Sequence, residues 1–290
     1  MLRLLACASL LASATSLSVE VTAATTRGAM EAAAAAPAVY DHSWLVRGGG
    51  PAPPRGRTAI VVLNSDTAGG SLAGLRHLWG AADTRVCADG GANRLYALDP
   101  ELLPTEITGD LDSLQPEVRA YYAARGVPIT KRHDQDKHDL DKALQAVHGT
   151  GPGPAPHTVV VWGAFGTRFD HVMASINTLY HWADRFEGEL LLLSATSLAV
   201  LVPAGRPTTI VPAPGLEGPT CGLIPVGARA DRVTTTGLTW NLDGAPLEFG
   251  GLISTSNAVA APGAPVGVDA SGPLVWTSEL HPEVWDEFVT

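Results

Sequence analysis

Short, continuous apolar runs alternate with amphipathic segments from about residue 58 to residue 190. Thr58–Leu63 and Thr158–Trp162 are apolar runs bounded by turn residues, which is typical of strands buried on both faces. Between them, Leu140, Leu144 and Val147 repeat at helical spacing and form one apolar face. Strand, turn and helix recur about every 25 to 35 residues, which predicts an open, mostly parallel α/β sheet with helices on both faces. Ligands of such sheets bind outside the carboxyl ends of the strands.

The pattern changes after Leu190, where short strand-like runs follow one another without helical periodicity. The runs are Leu190–Leu193, Ala199–Val202, Thr208–Val211, Cys221–Val226, Arg232–Thr236 and Leu274–Thr277. Closely spaced strands separated by Pro and Gly turns predict an all-β sandwich. We therefore expect an α/β domain over residues 57–195 and a β-sandwich domain over residues 196–290.

Residues 1–56 have a different composition, with an alanine run at Ala32–Ala36 and a Gly/Pro-rich stretch at Gly48–Pro54. We expect a disordered or targeting extension here, because such segments bury too little apolar surface to order themselves. The apolar stretch after Arg3 resembles a short signal-peptide core, whereas the scarcity of acids suits an organellar transit peptide, and Met30 is a further candidate start. No run reaches the roughly 18 apolar residues of a membrane span.

The net charge and the spacing of the cysteines argue against some classes of function. A formal charge of −10 argues against a nucleic-acid-binding surface, which needs clustered Lys and Arg. A small substrate neutralised by a metal ion fits better. Cys7, Cys87 and Cys221 are widely spaced and form no CxxC pair, which indicates a reducing compartment such as the cytoplasm and no zinc site.

Three acid-bearing segments lie where predicted strands give way to turns. Asp89 precedes two glycines, Asp110 and Asp112 flank one leucine, and Asp134–Asp141 is the densest acid cluster of the chain. Each segment alone also fits a turn with capping aspartates or a helix N-terminus that favours negative charge. Carboxylates at the ends of successive strands converge, however, and hard oxygen ligands suit Mg²⁺ bridged to substrate phosphates.

Two further segments suggest the rest of a site. Gly163–His171 follows a strong strand and opens a helix, and its glycines and Arg168 suit a phosphate, although the Walker signature is absent. His171 fits a local structural role equally well. Polar loops surround Trp240, which either packs or stacks on a flat cationic heterocycle.

Seven motifs in order closely resemble those of eukaryotic thiamine pyrophosphokinases, over roughly residues 58 to 280. They are Cys87–Arg94, Gly109–Ser113, Asp134–Lys142, Gly163–His171, Cys221–Gly227, Thr234–Leu242 and Ser254–Asn257. The resemblance implies an ATP-binding catalytic α/β domain, a thiamine-binding β-sandwich domain, and a homodimer with active sites at the subunit interface. It also implies Mg²⁺-dependent transfer of diphosphate from ATP to the thiamine hydroxyl, which yields thiamine diphosphate and AMP.

The resemblance also implies roles for individual residues. Asp110, Asp112 and Asp139 would hold Mg²⁺ and the phosphates, with Asp89 close by. The nucleotide and diphosphate path would be lined by Ser113, Gln135, Arg168 and Asp170. Trp240 would stack on thiamine beside Ser254, Thr255, Ser256 and Asn257, which come from this subunit or its partner.

Two positions depart from the family pattern. His138 stands where a small hydroxyl residue is common, and Thr167 stands where glycine is common, so nucleotide contacts are expected to differ there. No carboxylate of the motifs is missing, which favours an active enzyme. The alternatives are a pyrophosphokinase for another hydroxymethyl heterocycle and a non-catalytic binder of thiamine or thiamine diphosphate.

Overall fold

The structure, a computed structural model, describes residues 36–46, 58–65, 71–134, 136–149, 155 and 157–287. Its helices are α1 (Leu72–Ala81), α2 (Gly91–Leu98), α3 (Pro116–Ala124), α4 (Asp139–His148), α5 (Phe169–Trp182) and the short α6 (Glu283–Asp286). The strands up to the middle of the chain are β1 (Ala38–Asp41), β2 (Thr58–Val62), β3 (Thr84–Ala88), β4 (Glu106–Gly109), β5 (Ile129–Lys131), β6 (Thr158–Trp162) and β7 (Leu190–Leu193). The later strands are β8 (Ser197–Val202), β9 (Thr208–Val211), β10 (Glu217–Ile224), β11 (Ala230–Thr236), β12 (Ala245–Leu247), β13 (Ser254–Ala258), β14 (Val266–Ala270) and β15 (Leu274–Leu280).

Six parallel strands form the α/β part, in the order β7-β6-β2-β3-β4-β5. From β2 the chain moves outward through β3, β4 and β5, then crosses to the other side of β2 to form β6 and β7. The order therefore reverses between β2 and β6. In open α/β sheets, the crevice outside the carboxyl ends of the strands at such a reversal is the usual ligand site.

Helices cover both faces of this sheet, as the sequence predicts. Side chains alternate along a strand, so Ile60 and Val62 of β2 pack in one core cluster with residues of α1, α2 and α3. Ala59 and Val61 pack in a second cluster with residues of α4 and α5. Burial on both faces explains why β2 reads as a continuous apolar run.

The β-rich part predicted after Leu190 is confirmed and consists of two sheets. One has five strands in the order β1-β9-β14-β11-β12, and the other is formed by β13-β10-β15-β8. The second is continuous with the α/β sheet, because β7 and β8 pair antiparallel at Leu192–Ala199 and Leu193–Leu198. The division of the chain at residues 195 and 196 stays a prediction, since the ten-stranded sheet runs through it.

The expectation that residues 1–56 lie outside the fold is corrected for residues 38–46. Strand β1 pairs in parallel with β9 at one edge of the five-stranded sheet, and Trp44 and Leu45 are buried in the core. The indole of Trp285 in α6 donates a hydrogen bond to the carbonyl of Leu45 at 2.8 Å. Apolar side chains and a buried histidine, His42, therefore pack residues 38–46 against the rest of the described chain. Residues 1–35 and 47–56 lie outside the described ranges.

Within the described ranges, no helix combines the length and hydrophobicity that a membrane span requires.

Candidate functional site

A cleft of about 490 Å³ lies at the carboxyl ends of β2, β3, β4 and β6. Its lining includes Leu63–Ser65 after β2, Asp89 after β3, Asp110 after β4, and Gly163 after β6. Of the residues proposed from the sequence, those that line the cleft are Asp89, Asp110, Ser113, Asp139 and Arg168. The strand-end convergence expected from the sequence therefore occurs at the reversal of strand order.

Asp89 is the buried member of the acid group, with 3% of its surface exposed. Its φ of 45° is left-handed, a conformation that aspartate tolerates better than most residues. The N–H of Ser113 donates to Asp89 Oδ2 at 3.2 Å, whereas Oδ1 has no hydrogen-bond partner in the described part of the chain. Burial, reinforced by the charge of Asp139, raises the pKa of Asp89. A buried carboxylate oxygen without a partner is well suited to a cation.

Asp110 and Asp112 occupy a tight loop after β4. The residue between them, Leu111, has a φ of 63°, which is unusual for a bulky side chain and is found most often at functional sites. Carboxylate oxygens of Asp89, Asp110 and Asp112 lie within 4.8 Å of one another. Three like charges so close repel one another unless a cation lies between them.

Asp139 reaches the same loop from the first turn of α4. Its Oδ1 accepts a hydrogen bond from the N–H of Asp110 at 3.4 Å and one from Lys142 Nζ at 3.2 Å. Lys142 Nζ also lies 3.4 Å from Asp110 Oδ2. Burial by itself would lower the pKa of Lys142, but the hydrogen bond to Asp139 and the charges of Asp139 and Asp110 outweigh it and raise the pKa. Lys142 received no role from the sequence, although its position three residues after Asp139 places both on one side of the helix.

Arg168 lines the cleft at the start of α5 and is paired with Asp170. Arg168 Nη2 lies 2.5 Å from Asp170 Oδ2, and Arg168 Nε lies 3.1 Å from Asp170 Oδ1. The pair raises the pKa of Arg168 and lowers that of Asp170. Since both side chains are exposed, the pair is weak in water. A phosphate can therefore compete for the guanidinium.

Asn93 braces the acid loop, which sequence reasoning missed. Its Nδ2 donates to the carbonyl of Ser113 at 2.8 Å, and its Oδ1 accepts from the N–H of Gln115 at 3.1 Å. The side chain, presented by α2, thus fixes the backbone that follows Asp112. An asparagine one turn after a strand-end aspartate is the only sequence signal for this brace.

Glycines allow the close approach of these segments. Gly109 has a φ of 153°, and a Cβ on it would lie 2.9 Å from the Cβ of Asp89 and 3.1 Å from Asp139 Oδ1. Any larger residue would push apart two of the acids, so glycine is required here.

The two departures from the family pattern also face the cleft. His138 and Thr167 both line it. His138 immediately precedes α4 and makes no side-chain capping hydrogen bond there. Gln135, a further candidate from the sequence, lies outside the described residues.

Trp240 and the Ser254–Asn257 segment form a separate feature on the β-rich part. Trp240 is 63% exposed, and neither it nor Ser254–Asn257 lines the cleft of the described chain. Ser254 and Asn257 are buried, whereas Thr255 and Ser256 are exposed. The Asn257 side chain makes hydrogen bonds with both the backbone N–H and the carbonyl of Trp240. The Asn241 side chain does the same with the backbone N–H and the carbonyl of Leu238. The loop is thus fixed while the indole remains exposed.

Comparison with known proteins places both parts of the chain in one family. Residues 75–190 match the thiamin pyrophosphokinase catalytic domain, and residues 207–275 match the thiamin pyrophosphokinase vitamin B1 binding domain. Thiamine pyrophosphokinase 1 of Oryza sativa subsp. japonica is 42% identical over 239 residues, which cover 77% of this chain and 87% of that protein. Thiamine pyrophosphokinase 1 of Arabidopsis thaliana is 38% identical over 241 residues, which cover 77% of this chain and 86% of that protein.

Solved structures support the fold independently. The crystal structure of yeast thiamin pyrophosphokinase superposes with a TM-score of 0.74 at 22% identity and covers 88% of this chain and 94% of that one. The structure of thiamin pyrophosphokinase from Candida albicans gives a TM-score of 0.72 at 22% identity, with 84% and 93% covered. At this identity the likeness concerns the fold alone.

Proposed function

The chain belongs to the thiamin pyrophosphokinase family, and from this premise we propose that it transfers diphosphate from ATP to the hydroxyl group of thiamine. The hydroxyl oxygen bonds to the β-phosphorus, the bond from that phosphorus to the α-phosphate oxygen breaks, and AMP leaves. The hydroxyl proton is released, and thiamine diphosphate is the second product. One observation carries the proposal: carboxylate oxygens of Asp89, Asp110 and Asp112 lie within 4.8 Å of one another. Two of these acids, Asp89 and Asp110, line the cleft together with Lys142 and Arg168.

The donor set fits a divalent metal ion with hard oxygen ligands. Asp110 and Asp112, together with Asp89 or Asp139, would hold Mg²⁺. Asp89 Oδ1, which has no hydrogen-bond partner among the described residues, is the atom that most needs such a cation. When bound, Mg²⁺ would neutralise charge on the phosphates during an in-line displacement.

Residues of the chain itself bind and align the nucleotide in this proposal. The first N–H groups of an α-helix have no partner within the helix, so the N-terminus of α5 favours an anion. Arg168 exchanges its exposed partner Asp170 for a phosphate oxygen and keeps a bidentate geometry. Ser113 and Gln135 complete the nucleotide and diphosphate path. Little covalent work falls to the protein, so alignment and charge stabilisation account for most of the catalysis.

We propose that thiamine binds at Trp240, whose exposed indole stacks on the cationic heterocycle. Ser254, Thr255, Ser256 and Asn257 flank it. Because the described cleft of one chain does not include Trp240, we propose a homodimer in which each active site combines the acid cleft of one subunit with the Trp240 loop of its partner. Light scattering combined with size-exclusion chromatography tests the dimer directly.

The reaction is tested by measuring AMP release with ATP, with and without thiamine and Mg²⁺, and by identifying the products. AMP and thiamine diphosphate formed only when all three components are present support the proposal. Thiamine binding without AMP release would instead indicate a non-catalytic binder. Release of AMP with another hydroxymethyl heterocycle but not with thiamine would indicate a different pyrophosphokinase.

We assign the protein to the cytoplasm, with an organelle addressed by the N-terminal extension as the alternative. Cys87 and Cys221 are buried free thiols, as expected in a reducing compartment. Fluorescent fusions of residues 1–290 and 30–290 distinguish the two, because only the longer chain would enter an organelle.

A further inference from the structure

Lys142 is a buried lysine, which is unusual in a folded protein. Its side chain is 2% exposed and projects from the inner side of α4, where Leu140, Ala143 and Leu144 are also buried. Lysine is almost never buried completely unless its ammonium group is paired. The pairing partners of Lys142 therefore indicate why it lies there.

Both ion-pair partners of Lys142 in the described chain are acids of the cleft. Nζ lies 3.2 Å from Asp139 Oδ1 and 3.4 Å from Asp110 Oδ2. Asp139 Oδ1 also accepts the backbone N–H of Asp110 at 3.4 Å. Lys142 thus connects the first turn of α4 to the loop after β4, two elements that are 29 residues apart at Asp110 and Asp139.

The charges explain what this connection does. Asp89, Asp110, Asp112 and Asp139 would carry up to four negative charges, and Lys142 is the cation in contact with two of them. Without that cation, repulsion would drive Asp139 away from Asp110 whenever no metal ion is bound. An ammonium group held by packing keeps the two carboxylates at a fixed separation beforehand, which is what preorganisation of a site requires.

We infer that Lys142 is a positioning residue that holds Asp110 and Asp139 in place for the metal-dependent transfer, acting chiefly through Asp139. The inference rests on the proposed function. Lys142 differs in this from Arg168, since Arg168 is exposed and its partner Asp170 leaves it available to substrate. A residue that merely fills the core would affect stability and leave the turnover of the folded enzyme unchanged.

Replacement of Lys142 by Met tests this, because methionine keeps most of the volume and removes the charge. We expect K142M to lower kcat at saturating Mg²⁺ by roughly tenfold or more, with the KM for thiamine changed by less than about twofold. K142R, which restores the cation, should recover much of the lost kcat. K131M makes the same change on exposed Lys131 of β5 and should leave kcat unchanged.

Each variant is first checked for folding by circular dichroism and thermal unfolding. A folded K142M with kcat within about twofold of wild type would overturn the inference. A folded K142R that is no more active than a folded K142M would also overturn the inference. Absence of thiamine-dependent AMP release in the wild-type enzyme is a different result, because it refutes the proposed function before any variant is compared.

The double variant D139N/K142M keeps the test decisive if K142M is unstable, since it removes both members of the closer ion pair. If Lys142 acts chiefly through Asp139, the double variant should have kcat within about fivefold of D139N alone, as double-mutant logic requires. A larger additional loss would show that Lys142 works independently of Asp139 and would overturn the inference.

Discussion

The side chain of Asn257 holds the backbone of Trp240 from both sides. Asn257 Nδ2 donates to the carbonyl of Trp240 at 2.9 Å, and Asn257 Oδ1 accepts the N–H of Trp240 at 3.2 Å. Asn257 is itself buried in β13 and also contacts Ser254 Oγ at 3.3 Å. An exposed indole on a backbone fixed in this way loses little conformational entropy when a ligand stacks on it. The arrangement therefore favours a binding role for Trp240 over a packing role.

Trp240→Ala should raise the KM for thiamine roughly tenfold or more and leave the KM for ATP nearly unchanged, because the stacking surface lies outside the nucleotide cleft. Thermal stability should change little, since most of the indole is exposed. Steady-state kinetics with each substrate varied in turn provides the measurement.

Phe249→Ala is the matched control, because Phe249 is an equally exposed aromatic residue of the same β-rich part. It should have little effect on either KM. A thiamine KM that stays at the wild-type value in the Trp240 variant would remove Trp240 from the pocket.

Asp112→Asn should lower kcat by roughly two or more orders of magnitude, because it removes one of the carboxylates that are proposed to hold the metal ion. The fold should persist, since Asp112 is exposed and its contact with Ser113 can be made by an amide. Turnover measured across a Mg²⁺ titration, with circular dichroism of the same sample, checks both statements.

Asp243→Asn makes the same chemical change at an exposed position of the β-rich part and should be neutral. Near-normal turnover in Asp112→Asn would refute the metal assignment.

Gly109→Ala should abolish most activity and destabilise the protein by roughly 1 to 3 kcal/mol, since the new methyl group has to displace Asp89 or Asp139. Gly126→Ala also places alanine at positive φ, 77°, but its methyl group meets no atom of the described residues within 4 Å. It should cost about 1 kcal/mol of stability and leave turnover intact. Urea unfolding and kcat of the two variants separate backbone strain from distortion of the acid group. Equal activity of both variants would contradict the tight packing proposed around Gly109.

His42 should make the stability of the protein fall as pH rises above neutrality. Its Nδ1 lies 2.8 Å from Glu217 Oε1 and its Nε2 lies 3.1 Å from Glu189 Oε2, and the residue is fully buried. Burial alone would lower the pKa of His42, but Glu217 and Glu189 raise it from 6.5 to about 10. Because the folded pKa lies above the unfolded one, the stabilisation is complete below pH 6.5 and is lost as pH rises through about 10.

The free energy of unfolding in urea, measured from pH 6 to about pH 8.5, should decline in the wild type and be much flatter in His42→Gln. Above about pH 9 the buried thiols of Cys87 and Cys221, whose pKa is raised by burial, would add a loss of stability in both proteins. The variant should be less stable at pH 6 by roughly 3 to 5 kcal/mol, as when one partner of a buried ion pair is removed. The pKa of Tyr40, raised to about 12 by burial and by Glu189, adds a loss only above pH 10. A decline of the same size in both proteins would show that His42 is neutral in the folded state.

Much of the α/β part was predictable because local signals and packing agree there. Thr58–Val62 and Thr158–Trp162 are apolar on both faces because helices cover both faces of the sheet. By contrast, β12, β13 and β14 were missed. Ser254–Ala258 is largely polar, and its pairing with β10 depends on a partner more than 30 residues away. Strand β1 was missed because its ordering depends on β9 and on burial of His42, Trp44 and Leu45.

The candidate site, like the fold, was predictable only in part. The placement of Asp89, Asp110 and Asp112 at the ends of successive strands follows from the sequence, because the order of strands, turns and helices depends on local patterns. Three relations required the folded chain: Asp89 is the buried acid with an oxygen that has no partner among the described residues, Lys142 joins Asp139 to Asp110, and Asn93 braces their loop. The folded chain also shows that Trp240 stands apart from the cleft of its own chain. These relations join residues that are distant in the sequence, and their energies depend on burial and on charges brought together by the fold, which no local pattern encodes.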